Sequence, residues 1–228
     1  AAGDLLLGDS LEALAARQRT THAFMTPSLL SSLPDEIWLA SLQTLICGGE
    51  AVPSALLQRW NRGRRFVNGY GPTETTALSI IHVCPPDAQR IPLGRPLANE
   101  RVYILDAALQ PVPVGVTGEL YIGGAGVARG YLHRAELTAE RFIDSPFDAG
   151  ERLYRSGDIG CWRADGVIQY QGRNDFQVKV RGYRIELGEI EAKLAALPGV
   201  KDAVVLARAD GSGHQQLVAY VLQDDAIE

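Results

Sequence analysis

The feature that most limits what this chain can fold into is the point where a short apolar run stops. Arg65, Phe66 and Val67 read as a buried strand, and the string NGYGPTETT over residues 68–76 follows at once. Gly69, Gly71 and Pro72 predict a tight turn directly after that strand, because glycine reaches backbone angles closed to other residues and proline pre-sets a turn. Such a turn presents Tyr70 and Glu74 at a strand's carboxyl end. In an open α/β sheet that edge is where ligands bind. An exposed ring there can stack on a purine. A carboxylate beside a phosphate is the usual protein ligand for Mg²⁺, an ion that keeps most of its waters. A plain strand-to-loop turn with a solvated Glu74 accounts for the same residues taken alone.

The surrounding pattern alternates helix and strand. Residues 11–18 read as helix, 23–25 as strand, and 42–47 as strand ending in Gly48-Gly49-Glu50. Pro53 suits a helix's first position, with Ala55, Leu56, Leu57 and Trp60 behind it. This βα rhythm over residues 1–93 predicts a mostly parallel sheet. From 94 to 174 strands and turns dominate: 101–105, 118–122, and a hairpin turning at Asp165-Gly166 between 161–163 and 167–170. A small antiparallel barrel or sheet fits that stretch. From Phe176 the order reads strand, helix, strand, strand. The helix carries Leu187, Ile190, Leu194 and Leu197 on one face and stops at Pro198-Gly199; the last strands fall at 203–207 and 216–222.

Composition excludes several classes of function. With 46% hydrophobic and 21% charged residues, 228 residues suffice for a core in one or two domains. The 22 basic and 27 acidic residues give a net charge of −5 with no basic stripe, which points away from nucleic acid and membrane surfaces. Apolar stretches such as Leu5-Leu6-Leu7 fall far short of the ~18 to 20 residues that cross a bilayer, and the N-terminus lacks a signal peptide's charged start, so a cytoplasmic location is expected. Cys47, Cys84 and Cys161 are odd in number and widely spaced, which suggests buried thiols rather than a disulfide framework or a zinc site. His22, His82, His133 and His214 share no metal-ligand spacing.

Three further runs follow the first string: GELYIGGAGVARGYL at 118–132, YRSGD at 154–158 and GRNDFQVKVRGYRIELGEIE at 172–191. In this order, and over nearly the whole chain, they resemble the adenylation domains of nonribosomal peptide synthetases, within the adenylate-forming family of acyl-CoA synthetases and luciferases. The resemblance implies the C-terminal part of that family's large domain over residues 1–174, an α/β section at 1–93 and a β-rich, barrel-like section at 94–174. The start of a small α+β C-terminal domain follows at 175–228, after a hinge at Asp175. It implies activation of an amino acid by ATP to aminoacyl-AMP, with pyrophosphate released, and transfer to the phosphopantetheine thiol of a downstream peptidyl carrier domain. An acyl- or aryl-CoA ligase of the same superfamily and a non-catalytic interaction module are the alternatives. The strings GYGPTE and RIELGEIE favour the first reading. The family's lysine-containing phosphate loop and its substrate-binding Asp have no counterpart in these residues, and none of Lys179, Lys193 and Lys201 matches its late catalytic lysine. A fragment inactive by itself is therefore expected.

Carried over position by position, the resemblance implies that Tyr70 stacks on adenine and that Gly48, Gly49, Glu50 and Ala51 form the adenine-side wall. Asn68, Gly69 and Gly71 belong to the same nucleotide-binding segment. Thr73 bonds the α-phosphate, Glu74 holds Mg²⁺, Asp158 accepts from both ribose hydroxyls, and Arg173 reaches the ribose and phosphates. Phe24, Ile46, Gly48, Gly69, Ala77 and Leu78 would line the acyl pocket. All are apolar or small, so a neutral, hydrophobic amino acid is expected, since an unpaired buried charge costs several kcal/mol. On the residues alone, without the ordered motif set, the favoured readings are Asp158 as a local backbone cap and Arg173 with Asp175 as a surface ion pair. Gly123-Gly124-Ala125-Gly126 precedes no clear helix, so a bend between strands is favoured over a dinucleotide loop. Lys179, Arg181 and Arg184 form either a phosphopantetheine-facing edge or a solvated face.

Overall fold

The computed structural model describes residues 8–88, 91–180, 183–209 and 215–223. Leu5-Leu6-Leu7, Arg181 and His214 lie outside the described residues. The chain divides into two compact units, Ala1–Asn174 and Asp175–Glu228.

The first unit opens with helix α1 (Gly8–Arg17) and alternates as its sequence suggests. Strand β1 (His22–Met25) leads through α2 (Pro27–Ser32) to β2 (Thr44–Gly48), and α3 (Ser54–Trp60) leads on to β3 (Arg65–Tyr70). These three strands run parallel, with β2 between β1 and β3. Strands β4 (Ile80–Cys84) and β5 (Arg95–Pro96) then add antiparallel at the β3 edge. Leu30, Leu45, Leu57, Trp60 and Phe66 are fully buried between this sheet and its helices. That burial is what an amphipathic helix gains by packing on a parallel sheet.

Strand β3 runs further than the glycines suggest. Gly69 and Tyr70 are strand residues, and the turn starts only at Gly71. Gly69 pairs with Gly48 on one side and Ile81 on the other, and this two-sided ladder outweighs glycine's local preference for turns. Gly48 is needed for the close approach, because a Cβ on it would meet the Gly69 carbonyl oxygen at 2.3 Å.

The second sheet is antiparallel. It contains β6 (Glu100–Leu105), β7 (Gly118–Gly124), β9 (Arg152–Trp162) and β10 (Ile168–Arg173) in the order β10-β9-β7-β6, with β8 (Phe142–Asp144) also pairing β9. Helix α4 (Ala135–Arg141) precedes β8. Among the described residues this is an open sheet and not a closed barrel. The β10 edge that would have to close is already engaged: Leu93 donates to Ile168 O at 2.9 Å and Ile168 donates to Gly94 O at 2.8 Å. The hairpin at Asp165-Gly166 forms where expected, with Gly166 at φ 73°. Gly124 ends β7 at φ 116°, with Asn99 O only 2.2 Å from where a Cβ would stand, so this glycine makes the bend between strands. Ile80, Leu93, Val102, Ile104, Leu120, Ile122 and Ile168 form one core that includes residues of both sheets. Cys47, Cys84 and Cys161 are free and buried; burial pushes the Cys47 thiol to about 12 and the Cys84 thiol to about 11.

The second unit holds β11 (Gln177–Val180), β12 (Tyr183–Glu186), α5 (Leu187–Ala195), β13 (Val200–Ala209) and β14 (Gln215–Gln223). Strands β11 and β12 form one antiparallel pair and β13 with β14 another. Strand β12 is an addition to the expected order. Its four residues lead straight into α5 and read as the helix's approach, whereas Val178 facing Ile185 makes them a strand. Leu187, Ala203 and Val205 are buried, while Leu197 lies beyond the end of α5 and is exposed. Lys179 sits opposite Arg184 in the ladder, so those two share a face.

Candidate active site

Tyr70 is the last residue of β3, and its place corrects the expectation of an exposed ring on a turn. It is only 7% exposed and packs in the core with Ile80, Leu93, Leu120 and Ile168. The strand carries it under the second sheet before the chain turns. Its hydroxyl donates to Asp158 Oδ2 at 2.5 Å. Burial, and then the Asp158 charge, push the phenol well above its ordinary pKa, so it remains a donor.

Asp158 lies on β9 and is 3% exposed. Besides Tyr70 it accepts from Arg173 Nη1 at 2.8 Å and from the Tyr170 hydroxyl at 3.4 Å, both on Oδ1. The second Arg173 amino group donates to Ser156 O at 2.9 Å. A two-oxygen acceptor facing three donors fits the carboxylate's acceptor capacity. The ion pair that Arg173 makes here is buried, and the Asp158 carboxylate accepts from side chains of three other residues. Behind it, Glu119 accepts from Arg155 Nε at 3.0 Å, Gly157 N at 3.2 Å and Asn174 Nδ2 at 3.1 Å. Tyr170 carried no signal of this role in the sequence, since it lies 12 residues from Asp158 and outside the motif strings.

Glu74 occupies a one-turn 3-10 segment, Thr73–Thr75, and is 9% exposed rather than solvated. Its Oε1 accepts from the Tyr131 hydroxyl at 2.5 Å, and its backbone oxygen accepts from Ala128 N at 2.8 Å. Burial, followed by the Glu74 carboxylate, raises the Tyr131 pKa far above its usual value. Thr73 stays exposed. The turn's left-handed residues are Thr76 at φ 61° and Ala77 at φ 67°, not Gly71. Gly71 is required for a different reason: a Cβ there would stand 2.7 Å from Ala77 O. Among the described residues no three His, Cys, Asp or Glu side chains gather as a metal cage. A single carboxylate on a turn suits Mg²⁺, which takes one or two protein oxygens and completes its shell from phosphates and water.

The pocket candidates converge on one patch of the parallel sheet. Phe24 pairs with Ile46, and Gly48 with Gly69. A Cβ on Gly69 would lie 2.7 Å from Leu78 Cδ2 and 3.2 Å from Ile46 Cγ2, and one on Gly48 would lie 3.4 Å from Phe24 Cε2. Phe24 is 53% exposed, and Ala77 is exposed on the neighbouring turn. Gly49 continues from β2 at φ 89°. Glu50 accepts from Ser28 Oγ at 2.6 Å, while its Oε1 is buried with no hydrogen-bond partner among the described residues. Ala51 is exposed. Asn68 is buried and donates to Pro92 O at 2.8 Å, which is a bracing contact within the fold. Asp175, in the second unit, accepts from Gln177 N at 3.2 Å. No helix among the described residues is long and apolar enough to cross a membrane.

An open α/β sheet sharing a core with an antiparallel sheet is the fold of the adenylate-forming enzymes. The signature of the AMP-binding enzyme family matches residues 4–132, and the chain belongs to that family. It is 51% identical over 226 residues to the chondramide synthase of Chondromyces crocatus, covering 96% of this chain and 6% of that protein. It is 47% identical to the phosphinothricin tripeptide synthetase PhsC of Streptomyces viridochromogenes, covering 96% of this chain and 20% of that protein. The structure superposes with a TM-score of 0.87 at 30% identity on holo-PA1221, a nonribosomal peptide synthetase protein with adenylation and PCP domains bound to a vinylsulfonamide inhibitor, over 95% of this chain and 39% of that one. Against holo-AB3403, a four-domain nonribosomal peptide synthetase bound to AMP and glycine, the TM-score is 0.68 at 44% identity, over 97% of this chain and 17% of that one. The chain thus spans a small part of the synthetases that it resembles.

Proposed function

We propose that this chain forms part of an adenylation domain that joins an amino acid to AMP and hands the acyl group to a carrier domain's phosphopantetheine thiol. The observation that carries the reading is the placement of two buried carboxylates about β3's end: Asp158 bonded to Tyr70, and Glu74 on the turn that follows. In the proposed reaction the amino acid's carboxylate attacks the α-phosphorus of ATP and pyrophosphate leaves. Joining two anions needs positive charge and hydrogen-bond donors, and Mg²⁺ would supply charge stabilisation. Glu74 would hold that ion, and the exposed Thr73 hydroxyl would reach the α-phosphate. Asp158 would orient the ribose, with Arg173 Nη1 bonded to its Oδ1 and the Tyr70 hydroxyl fixing the direction of its carboxylate. Gly48, Gly49, Glu50 and Ala51 would wall the adenine. The thiol then displaces AMP from the adenylate.

Phe24, Ile46, Gly48, Gly69, Ala77 and Leu78 support a neutral, hydrophobic amino acid. Pyrophosphate exchange by the intact domain across an amino-acid panel tests this. Aliphatic or aromatic substrates are expected to exceed Asp, Glu, Lys and Arg by at least about 100-fold in kcat/KM, from the unpaired-charge cost. A charged amino acid as the best substrate overturns the assignment of the pocket. Loading of coenzyme A instead of a carrier protein would favour an acyl-CoA ligase.

Asp175 would be the pivot about which the small domain, 175–228, moves between the two half-reactions. A hinge must absorb a large backbone change, and proline locks φ while restricting the residue before it. Asp175→Pro is therefore expected to slow one half-reaction by tenfold or more relative to the other, on the order expected when a conformational step is trapped. Equal effects on exchange and carrier loading, with the protein folded, would place the pivot elsewhere.

A further inference from the structure

The glycine-rich run 118–132 is the longest of the motif strings with no chemical role in the reading above, and it touches Glu74 twice. Ala128 N donates to the Glu74 backbone oxygen at 2.8 Å, and Tyr131 donates its hydroxyl to the Glu74 carboxylate at 2.5 Å. We propose that Tyr131 is a positioning residue that sets the rotamer of the Glu74 carboxylate, and through it the place of the metal ion. The proposal rests on the reading of Glu74 as the Mg²⁺ ligand.

The need for such a residue follows from the turn itself. Glu74 stands on three residues of 3-10 helix followed by two left-handed residues, and its side chain has three torsions whose ordering costs conformational entropy. Tyr131, by contrast, is firmly mounted. Its own N–H donates to Thr138 Oγ1 at 2.9 Å, and its ring meets the buried Phe142 edge-on at 5.4 Å. Phe142 leans in turn on Tyr154 at 5.1 Å. The segment leading to Tyr131 is pinned as well. Gly126 N donates to Glu100 Oε1 at 2.9 Å, and the Arg152 guanidinium donates to Ala128 O at 2.8 Å and Arg129 O at 3.0 Å. Thr76 Oγ1 closes the contact by donating to Gly126 O at 2.7 Å. A two-ended grip on a metal-binding carboxylate is how outer-shell partners orient a ligand, and their loss typically costs about 10 to 100-fold in metal affinity. A phenol suits the position because it donates one hydrogen bond and adds no charge to compete with the ion.

The test uses the intact adenylation domain with Tyr131→Phe, Glu74→Gln and the double variant. Mn²⁺ binding is followed by electron paramagnetic resonance in the presence of a non-hydrolysable ATP analogue, beside the Mg²⁺ dependence of pyrophosphate exchange. Tyr131→Phe is expected to raise the half-saturating Mn²⁺ concentration about tenfold. The amino-acid KM should stay within about twofold, because the phenol is proposed to act on the metal ligand alone. In the Glu74→Gln background the Phe substitution should add nothing, since Tyr131 acts only through that carboxylate. Wild-type Mn²⁺ binding in Tyr131→Phe, while Glu74→Gln loses the ion, overturns this proposal alone. Wild-type Mn²⁺ binding in Glu74→Gln overturns the metal assignment instead. If Tyr131→Phe yields no folded protein, Phe142→Leu takes its place, removing the ring on which Tyr131 leans while keeping the hydroxyl. An unchanged half-saturation there overturns the proposal, and a rise supports it.

Discussion

The two carboxylates near the end of β3 are held by opposite means. Asp158 sits on β9, inside an antiparallel sheet, and takes a guanidinium and two phenols. Glu74 sits on a single 3-10 turn and takes an uncharged phenol from a glycine-rich segment. Both are nearly buried, at 3% and 9% exposure, so burial alone does not separate them. The partners do. A carboxylate compensated by a buried cation is part of the fold's electrostatic balance, and removing it strands the cation. A neutral donor fixes a carboxylate's direction without neutralising its charge, which suits the metal-holding role proposed for Glu74.

The sharpest way to break this contrast is Glu74→Gln in the intact domain. The adenylation rate is expected to fall by about three orders of magnitude, as for loss of a charge that stabilises the transition state, with little change in melting temperature. A rate within about twofold of wild type at saturating Mg²⁺ would remove Glu74 from the metal site. Asp158→Ala should do the reverse and weaken the fold itself. Arg173, whose side chain is 11% exposed, would lose the carboxylate that balances its charge, at a cost of about 3–5 kcal/mol in urea unfolding. Unfolding free energy unchanged by that substitution would show that water already compensates Arg173. The smallest of the three effects is expected from Tyr70→Phe. It deletes one hydrogen bond to a charged acceptor, worth about 1.5–3 kcal/mol, and leaves the apolar packing of the ring in place. Should Tyr70→Phe cost as much as Asp158→Ala, the phenol rather than the guanidinium would be the main anchor of Asp158.

Legibility followed the range of the interactions. The α/β alternation of the first sheet, the hairpin at Asp165-Gly166 and the bend at Gly124 are written in residues a few positions apart, so periodicity and turn chemistry disclose them. Strand β12 escaped because four residues abutting a helix carry too little pattern of their own. The extension of β3 through Tyr70 escaped because Gly69 reads locally as a turn former, while its two strand partners are distant in sequence. Among the candidate site residues, Tyr70, Glu74, Asp158 and Arg173 stood out in the motif strings, but nothing in the sequence paired Asp158 with Tyr70 and Arg173, or Glu74 with Tyr131.

By itself the sequence determined the class of fold, the order of most elements, and the candidates for the chemistry: a tyrosine, a threonine and a glutamate at and after the end of one strand, and an aspartate and an arginine further on. Only the tertiary structure decided how those groups are held. It buried Tyr70 and aimed its hydroxyl at Asp158, 88 residues away, and it brought Tyr131 to Glu74 across 57 residues. The physical reason is that strand register and sheet packing join segments whose separation no local pattern records, and a hydrogen bond depends on that final geometry to within a few tenths of an ångström.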